Sequence, residues 1–540
     1  MMCATEGHVK PVRFLGAMLT LRRLAVAAGA LLLAAGLILL ARRGADFATF
    51  GDTAVIESYT WMAAKGDLLL GPYSRFQWHH PGPLEFFWIA PFYMLSGARP
   101  AGLNAGALAL NLAALAILTS IVMRRAGSVL SAALMASVAI YTWRIAPVLT
   151  SAWNPHLVVF AMMALIVAAA DVVSGAASTL PVVAALASLA GQTHVALLPP
   201  ALAISAVAAV GSIVSRWGKQ RAAAEISRSL LASLAVMLVL WAAPLVEQVT
   251  SKPGNISQLW SFFVSESHRG QRFASAFSAW SDMLTGLVRP DFAVAVGLRF
   301  RASPIRWVEA LAVLQLVGLV ATAAFAAMAR RGFELALASL LFLVSLLTLW
   351  SATRIEETIF DHEVFWISAV GALNIALIAS LAGRLAAARI PSSLTTAPMT
   401  AAIGWSLFAV CAALGLRELR TTVVDSSRPS PESEAVSAVA KQLQGYFDRE
   451  RIVRPLIRID QDGWPLAAGV ILRLQKEDVP VAVEDDWVAM FTPAFAATGR
   501  EAVTLEIDAK PQHVRRLGKP GDQVVIEHDP QLFVHRITSP

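Results

Sequence analysis

Repeated apolar runs constrain the fold of this chain more than any other feature of its sequence. Each run is about 17–23 residues long, which matches a helix that crosses a hydrocarbon core roughly 30 Å thick. Charged residues make up only 15% of the 540 residues, and 56% are hydrophobic, whereas soluble domains carry about 25% charged residues. The sequence therefore predicts an α-helical polytopic membrane protein.

We expect about eleven spans from the lengths of these runs. They lie near residues 23–41, 101–123, 127–143, 156–172, 177–191, 195–214, 229–246, 307–329, 334–351, 364–383 and 399–416. Residues 84–96 are apolar but short, and they contain Pro91. We interpret this segment as an interfacial or re-entrant helix, with a full span as the alternative.

Basic residues orient these spans in a cell membrane, either an inner or a plasma membrane. The cluster Lys10–Arg23 precedes the first span and places the N-terminus in the cytoplasm, following the positive-inside rule. Alternation then places Arg124-Arg125 and Arg330-Arg331 in the cytoplasm as well. Only Arg42-Arg43, just outside the first span, runs against the rule. Because the net charge of +7 arises largely from such loops, it does not indicate a nucleic-acid partner.

The chain divides into a membrane part and a soluble part. Residues 1–416 form the multi-span domain, with a first outer loop at 42–100 and a large outer loop at 247–305. Residues 417–433 contain a Ser/Pro-rich stretch and are predicted to be a linker. Residues 434–540 are soluble in character and are predicted by parity to lie on the extracytoplasmic side of the membrane. Their pattern indicates a small α/β domain with a βαβ unit.

Several classes of function are not supported by the sequence. It contains no GxGxxG fingerprint, no P-loop and no GxSxG elbow, so we expect no nucleotide cofactor. Cys3 and Cys411 are its only cysteines. They are predicted to lie far apart, so neither a disulfide nor a cysteine metal site is indicated.

The first outer loop carries the strongest candidates for catalysis. Asp52 follows the first span, and a carboxylate there can accept a proton from an attacking hydroxyl or bind a metal. The structural alternative is that Asp52 caps the helix that it opens. Glu57 is the next acid along the chain, but its spacing does not place it on the same helix face. Its structural alternative is a solvated surface position.

A pair of histidines stands before a rigid turn in the same loop. His79 and His80 precede Pro81-Gly82-Pro83, and proline disfavours a helical conformation for the residue before it. His80 is therefore predicted to be extended. Its imidazole could bind a phosphate oxygen, a metal or an acceptor hydroxyl. The alternative is that both histidines simply lie at the membrane interface.

Residues 52–88 resemble the first outer loop of GT-C glycosyltransferases, in particular the protein O-mannosyltransferases and the lipid A aminoarabinose transferase. The resemblance rests on Asp52, Tyr59, Ala63, Gly66-Asp67, Gly71-Pro72-Tyr73 and the Pro-Gly-Pro-Leu before Glu85-Phe86-Phe87-Trp88. The family often has an adjacent Asp-Glu pair and a Pro-Pro, whereas this chain has Asp52-Thr53 and Pro81-Gly82-Pro83.

The resemblance implies a hexosyl- or pentosyltransferase that takes its sugar from a polyprenyl-phosphate donor in the membrane lipid. Asp52, with Glu57, would be the catalytic acid pair, and Asp52 would act as base with inversion. The acceptor would be a glycan, lipid or protein hydroxyl of the cell envelope. The donor phosphate needs cations on the outer face, and the candidates are Arg75, His79, His80, His194, Arg354 and His362.

The segment from Arg354 to Glu363 is dense in acids. Asp361 and His362 could bind a divalent metal ion through carboxylate and imidazole, although an ordinary solvated loop has the same composition.

Two other classes of function compete with the enzyme. One is a transporter or flippase of lipid-linked sugars, which often shows internal repeats and ionisable residues at mid-membrane. The other is a non-catalytic scaffold of the envelope.

Overall fold

The computed structural model describes residues 47–214, 220–265, 270–300, 305–387, 397–425, 429–508, 523–528 and 532–537. The predicted first span at 23–41 and the pair Arg42-Arg43 lie outside these residues. The described chain is mostly helical up to residue 450. Its helices are α1 Gly51–Lys65, α2 Leu84–Leu95, α3 Pro100–Arg125, α4 Ser128–Arg144, α5 Asn154–Val173, α6 Leu180–Thr193, α7 Leu198–Val214, α8 Gln220–Leu240, α9 Ala242–Thr250, α10 Asn255–Trp260, α11 Phe273–Leu284, α12 Arg306–Met328, α13 Gly332–Thr353, α14 Asp361–Val364, α15 Ile367–Ala387, α16 Ala397–Asp425 and α17 Pro431–Glu450.

Eight helical stretches among the described residues are long and apolar enough to cross a membrane. They are Pro100–Arg125, Asn154–Val173, Val195–Val214, Ala223–Leu240, Arg306–Met328, Gly332–Thr353, Asp361–Leu385 and Ala402–Thr422. Each overlaps one of the predicted spans. The predicted spans at 127–143 and 177–191 are also helical, but α4 and α6 have only 17 and 14 residues. The chain is a multi-pass membrane protein.

The apolar segment at 84–96 forms the short helix α2. It has 12 residues and contains Pro91, so at 1.5 Å per residue it is about 18 Å long. That is shorter than a hydrocarbon core of roughly 30 Å, which excludes the full span considered as an alternative.

Helix α5 lies at the centre of the membrane part. It is apolar around its whole circumference, which is typical of a helix that contacts protein on every side. Its residues from Leu157 to Ala170 are at most 1% exposed. Helix α5 is therefore enclosed by the other helices of the membrane part.

The C-terminal domain combines one sheet with three helices. After α17, the elements are β1 Leu456–Ile459, α18 Trp464–Lys476, β2 Ala482–Val483, α19 Asp485–Phe491, β3 Thr504–Asp508, β4 Gln523–His528 and β5 Leu532–Ile537. The strand order is β2-β1-β3-β5-β4. Strands β2, β1 and β3 are parallel, and β5 is antiparallel to β3 and β4. The βαβ unit expected from the sequence is β1-α18-β2, whereas α19 and β5 had no clear signal.

The membrane part and the C-terminal domain share one continuous hydrophobic core. Helix α16 continues to Asp425, into the range that the sequence assigns to a linker. Helix α18 packs directly on α1. A Cβ atom on Gly469 of α18 would lie 2.4 Å from the carbonyl oxygen of Thr49, so only glycine permits this approach. The domain therefore fixes the position of the helix that carries Asp52.

Candidate active site

Asp52 lies in the first turn of α1 and faces a narrow pocket. The helix begins at Gly51, and its N-cap residue is Phe50, so the interpretation of Asp52 as an N-cap is wrong. The pocket is lined by Asp52, Val55, Ile56, Tyr59, Pro72, Tyr73, Phe86, Trp153 and Asn154. Of the two candidate catalytic acids, only Asp52 lines it.

Tyr73 holds the Asp52 carboxylate in place. Its hydroxyl donates a hydrogen bond to Oδ1 of Asp52 at 2.5 Å. Burial raises the pKa of Tyr73, and the Asp52 charge raises it further, so this hydroxyl stays protonated and remains a donor. One carboxylate oxygen is thereby engaged, and the other is left to face the pocket. The sequence offered Tyr73 only as part of the GT-C resemblance, because no periodic pattern links it to Asp52.

Glu57 belongs to a different cluster from Asp52. It is 1% exposed, and its carboxylate accepts hydrogen bonds from Thr49 Oγ1 and Tyr93 OH, both at 2.7 Å. Lys476 Nζ of the C-terminal domain lies 2.9 Å from Oε1. The surface position considered for Glu57 is therefore wrong. With three partners, this carboxylate joins α1 to α18, and its predicted catalytic role stays a prediction.

The chain at His79 and His80 pairs like a strand, which agrees with the extended conformation predicted from the prolines that follow. Tyr73 and His79 form an antiparallel bridge, and His80 N–H donates to Pro72 C=O at 2.8 Å. Both histidines are less than a tenth exposed. Both rings are therefore enclosed by protein, and the interpretation of the pair as residues that simply lie at the membrane interface stays an alternative.

His80 and His194 stack on each other, although they are far apart in the chain. Their ring centroids are 4.9 Å apart at an interplanar angle of 27°. Nδ1 of His80 accepts a hydrogen bond from Val195 N–H, and Nδ1 of His194 accepts one from Ala196 N–H. A neutral imidazole whose Nδ1 accepts carries its proton on Nε2. Both rings therefore present an Nε2–H donor.

Burial keeps these imidazoles neutral at pH 7. It lowers the pKa of His80 well below its ordinary value and lowers the pKa of His194 to about 3. Burial also lowers the pKa of His79 to about 4. A charge on His362 would lower the pKa of His80 and His194 further, which places His362 within electrostatic reach of both rings. These histidines form a cluster whose N–H groups can donate hydrogen bonds to an anion.

Trp153 and Asn154 connect the Asp52 pocket to the histidine cluster. Both line the pocket. The Trp153 ring lies 5.0 Å from the His362 ring, and Asn154 Nδ2 donates to the carbonyl of Thr193, next to His194. On the other side, the Tyr59 ring lies 6.4 Å from His79. The carboxylate and the imidazoles are therefore neighbours at one end of the helical bundle.

The two candidate arginines differ in their surroundings. Arg75 is engaged by the loop before α14, where it donates to the carbonyls of Glu356 and Thr358 and lies 3.3 Å from a Glu363 carboxylate oxygen. Arg354 ends α13 and is exposed. Arg354 is therefore the more available of the two for a phosphate.

Asp361 and His362 do not form a metal centre on their own. Both oxygens of Asp361 accept backbone N–H groups, from Val296 and Gly297 at 2.9 Å. Over the part of the chain that the structure describes, no group of three or more His, Cys, Asp or Glu side chains has the arrangement of a metal site. The divalent metal ion therefore stays a prediction.

The fold defines the class of the molecule: it is a polytopic membrane protein with an ArnT-like fold and a small C-terminal α/β domain. The similarity is to ArnT, a GT-C lipid A aminoarabinose transferase. The crystal structure of ArnT from Cupriavidus metallidurans bound to undecaprenyl phosphate matches with a TM-score of 0.52 and 13% identity, over 94% of this chain and 97% of that one. The apo state of ArnT matches with a TM-score of 0.50 and 13% identity, over 95% and 98%. No protein-family model and no curated protein matches the sequence.

Proposed function

We propose that this protein is a membrane glycosyltransferase that moves a sugar from a polyprenyl-phosphate donor to a hydroxyl acceptor on the outer face of the membrane. One observation carries the proposal. An Asp52 carboxylate and a cluster of imidazole donors meet at one end of an ArnT-like bundle. Undecaprenyl phosphate is bound in the ArnT crystal structure, so this fold is compatible with a lipid phosphate.

The proposed reaction is a single displacement at the anomeric carbon. The acceptor oxygen attacks that carbon while the bond from the carbon to the phosphate oxygen breaks. The acceptor proton passes to Asp52, and the electron pair of the broken bond leaves with polyprenyl phosphate. The products are the glycosylated acceptor, with inverted configuration, and the free lipid phosphate. Tyr73 orients Asp52 for this transfer, because it holds Oδ1 and leaves Oδ2 for the hydroxyl.

The donor phosphate would bind at the histidine cluster. His80 and His194 each present an Nε2–H group, and hydrogen bonds to a charged phosphate are stronger than those between neutral groups. Arg354 would add a cation from the end of α13. An anion also favours the protonated form of a nearby imidazole, so phosphate binding would raise the pKa of these histidines.

The acceptor would approach from the side of the C-terminal domain. Helix α19 lies against the site, because Tyr59 OH donates to the carbonyls of Ala489 and Met490. At the other edge, the Trp464 ring comes within 4.0 Å of a Cβ position on Gly51. This domain therefore borders the approach to Asp52, and a glycan, lipid or protein hydroxyl would enter beside it.

Product analysis in membranes tests this proposal. Membranes that contain the protein would be supplied with a panel of polyprenyl-phosphate pentoses and hexoses, and transfer to endogenous acceptors would be measured by mass spectrometry. We expect one sugar to be transferred, with loss of transfer in Asp52→Asn. Movement of labelled donor across a reconstituted bilayer without any glycosylated product would instead identify a transporter.

A further inference from the structure

The amide of Asn255 lies on the backbone of the two turn histidines. Its Oδ1 accepts a hydrogen bond from His79 N–H at 2.9 Å. Its Nδ2 donates to the carbonyl of His79 at 2.9 Å and to that of His80 at 3.3 Å. Asn255 is 3% exposed. The amide thus acts as a substitute for a neighbouring strand.

With Asn255 in place, the backbone of this dipeptide is fully hydrogen-bonded. The one remaining group, His80 N–H, donates to the carbonyl of Pro72. The turn is also closely surrounded, since a Cβ atom on Gly71 would lie 2.4 Å from the His80 carbonyl oxygen. In the side chain, Nδ1 of His80 accepts a hydrogen bond from Val195 N–H. The ring of His80 is therefore fixed from both its backbone and its side chain.

Asn255 is itself held by a buried acid. Its backbone N–H donates to Oε2 of Glu247 at 2.8 Å, and Glu247 is 5% exposed. Glu247 belongs to α9 and Asn255 begins α10, so the Glu247 carboxylate closes the large loop, and the Asn255 side chain carries its contact to the first outer loop. A buried carboxylate is costly unless it is hydrogen-bonded. The Glu247 carboxylate therefore holds the main chain at Asn255, from which the side-chain amide reaches the turn histidines.

We propose that Asn255 is a positioning residue for donor binding, which it controls by fixing the backbone of His79 and His80, and that Glu247 supports it. This inference rests on the proposed function, in which His80 binds the donor phosphate. Asn255 would not touch the donor. Without its amide, the turn could shift, and a misplacement of about 1 Å in a site costs on the order of 10²-fold in function.

The chain offers a matched control in the same loop. Gln248 also closes this loop by its side chain, since it donates to Ser257 Oγ at 2.6 Å and accepts from Ser257 N–H at 3.1 Å. Its side-chain hydrogen bonds are to Ser257 rather than to the turn histidines. If Asn255 served only to stabilise the loop, Asn255→Ala and Gln248→Ala would affect donor binding equally.

The experiment measures binding of undecaprenyl phosphate to the full-length protein in lipid nanodiscs, together with the KM for donor and acceptor. Asn255→Ala, and Asn255→Asp, which keeps only the acceptor for His79 N–H, should weaken undecaprenyl phosphate binding and raise the donor KM by about tenfold or more. The acceptor KM should stay close to that of Gln248→Ala, while thermal stability should fall further than in Gln248→Ala, because buried backbone groups of His79 and His80 lose their partner. Glu247→Gln should behave almost as wild type, because its amide oxygen can still accept from Asn255 N–H.

Three outcomes overturn the inference. Donor affinity within twofold of wild type in folded Asn255 variants would do so while leaving the proposed function intact. Failure of both Asn255 variants to fold would show a structural role instead of a positioning one. If the wild-type protein itself bound no undecaprenyl phosphate, the proposed function would fail, and the inference would fail with it.

Discussion

At the scale of single residues, the site depends on hydrogen bonds that each hold one polar atom of a side chain and so fix its orientation. Tyr73 takes one oxygen of Asp52, and backbone N–H groups take one nitrogen each of His80 and His194. The second oxygen of Asp52, which lines the pocket, and Nε2 of each histidine are left for substrate groups. This is the arrangement that preorganised sites require, because the groups do not need to reorient during the reaction.

Replacing Asp52 tests the catalytic role directly. Asp52→Asn keeps the size of the side chain but removes the proton acceptor, so transfer should fall by roughly 10²–10⁴. Undecaprenyl phosphate binding and thermal stability should be unchanged. The exposed Asp67 in the same loop provides the control, and Asp67→Asn should retain full activity. Turnover of Asp52→Asn within a few-fold of wild type would exclude Asp52 as the base.

Removing the hydroxyl of Tyr73 should affect turnover more than binding. A hydrogen bond to a charged group contributes about 1.5–3 kcal/mol, so Tyr73→Phe should lower kcat by roughly 10- to 100-fold, since 1.4 kcal/mol is a factor of ten. The donor KM should change little, because Tyr73 contacts Asp52. Tyr446→Phe removes a hydroxyl that is not among the pocket-lining groups and that accepts a hydrogen bond from Arg536, and it should leave kcat unaltered.

The buried histidine cluster predicts a pH dependence of stability. The pKa of His194 is lowered from 6.5 to about 3 by burial, so the unfolded chain binds more protons than the native state between these values. Stability should therefore be complete above about pH 6.5 and fall as the pH is lowered toward 3. Thermal unfolding between pH 7 and 4 would measure this. His194→Gln should show a shallower decline, and an equal slope would contradict the assignment.

At the scale of elements, α1 is held between the membrane helices and the C-terminal domain. The ion pair of Glu57 and Lys476 is the buried link, with side chains that are 2% and 14% exposed. Tyr93 joins it from α2, so three elements meet at one carboxylate. The position of Asp52, on the same helix as Glu57, thus depends on contacts from outside the membrane part.

Breaking this ion pair should destabilise the protein strongly. Either Glu57→Gln or Lys476→Met leaves an uncompensated buried charge, which costs about 3–5 kcal/mol. The double variant should recover most of that loss. The pair of Lys65 and Asp478 is 43% and 83% exposed, so Lys65→Met should cost at most about 1 kcal/mol. Thermal unfolding in detergent would compare the variants.

The double variant also separates the two candidate catalytic acids. If Glu57 acts only as a structural link, a folded Glu57→Gln/Lys476→Met protein should retain transfer within a few-fold of wild type. If Glu57 takes part in catalysis, that protein should be inactive even though it is stable. Transfer activity measured beside thermal stability therefore decides the role of Glu57.

At the scale of the whole molecule, the site lies at the end of the bundle that the C-terminal domain covers. The sequence predicts that this end faces the extracytoplasmic side, because loops with basic residues, which stay in the cytoplasm, alternate with the loops that carry the candidate site residues. A reporter enzyme that works only outside the cytoplasm, fused after Pro540, should be active. Activity of a cytoplasmic reporter at the same position would reverse the orientation and with it the proposed side of the reaction.

The sequence by itself determined that the chain is a polytopic helical membrane protein with a small C-terminal α/β domain, and it predicts that the first outer loop carries the active site. Apolar runs of spanning length must become helices, because a bilayer leaves no other partner for the backbone, and the short run with Pro91 was correctly separated from them. Prolines after His80 predicted its extended conformation through local steric effects. These properties depend on neighbours in the chain.

Only the tertiary structure decided which side chains meet. The stacking of His80 on His194, the link between Glu57 and Lys476 and the amide of Asn255 on the turn all join distant segments. Such contacts leave no periodic or spacing signal, because they depend on how helices pack rather than on where they begin. Asp52 and Glu57 are close in the sequence, yet the rotation of one helix turns the first toward the pocket and the second toward the C-terminal domain.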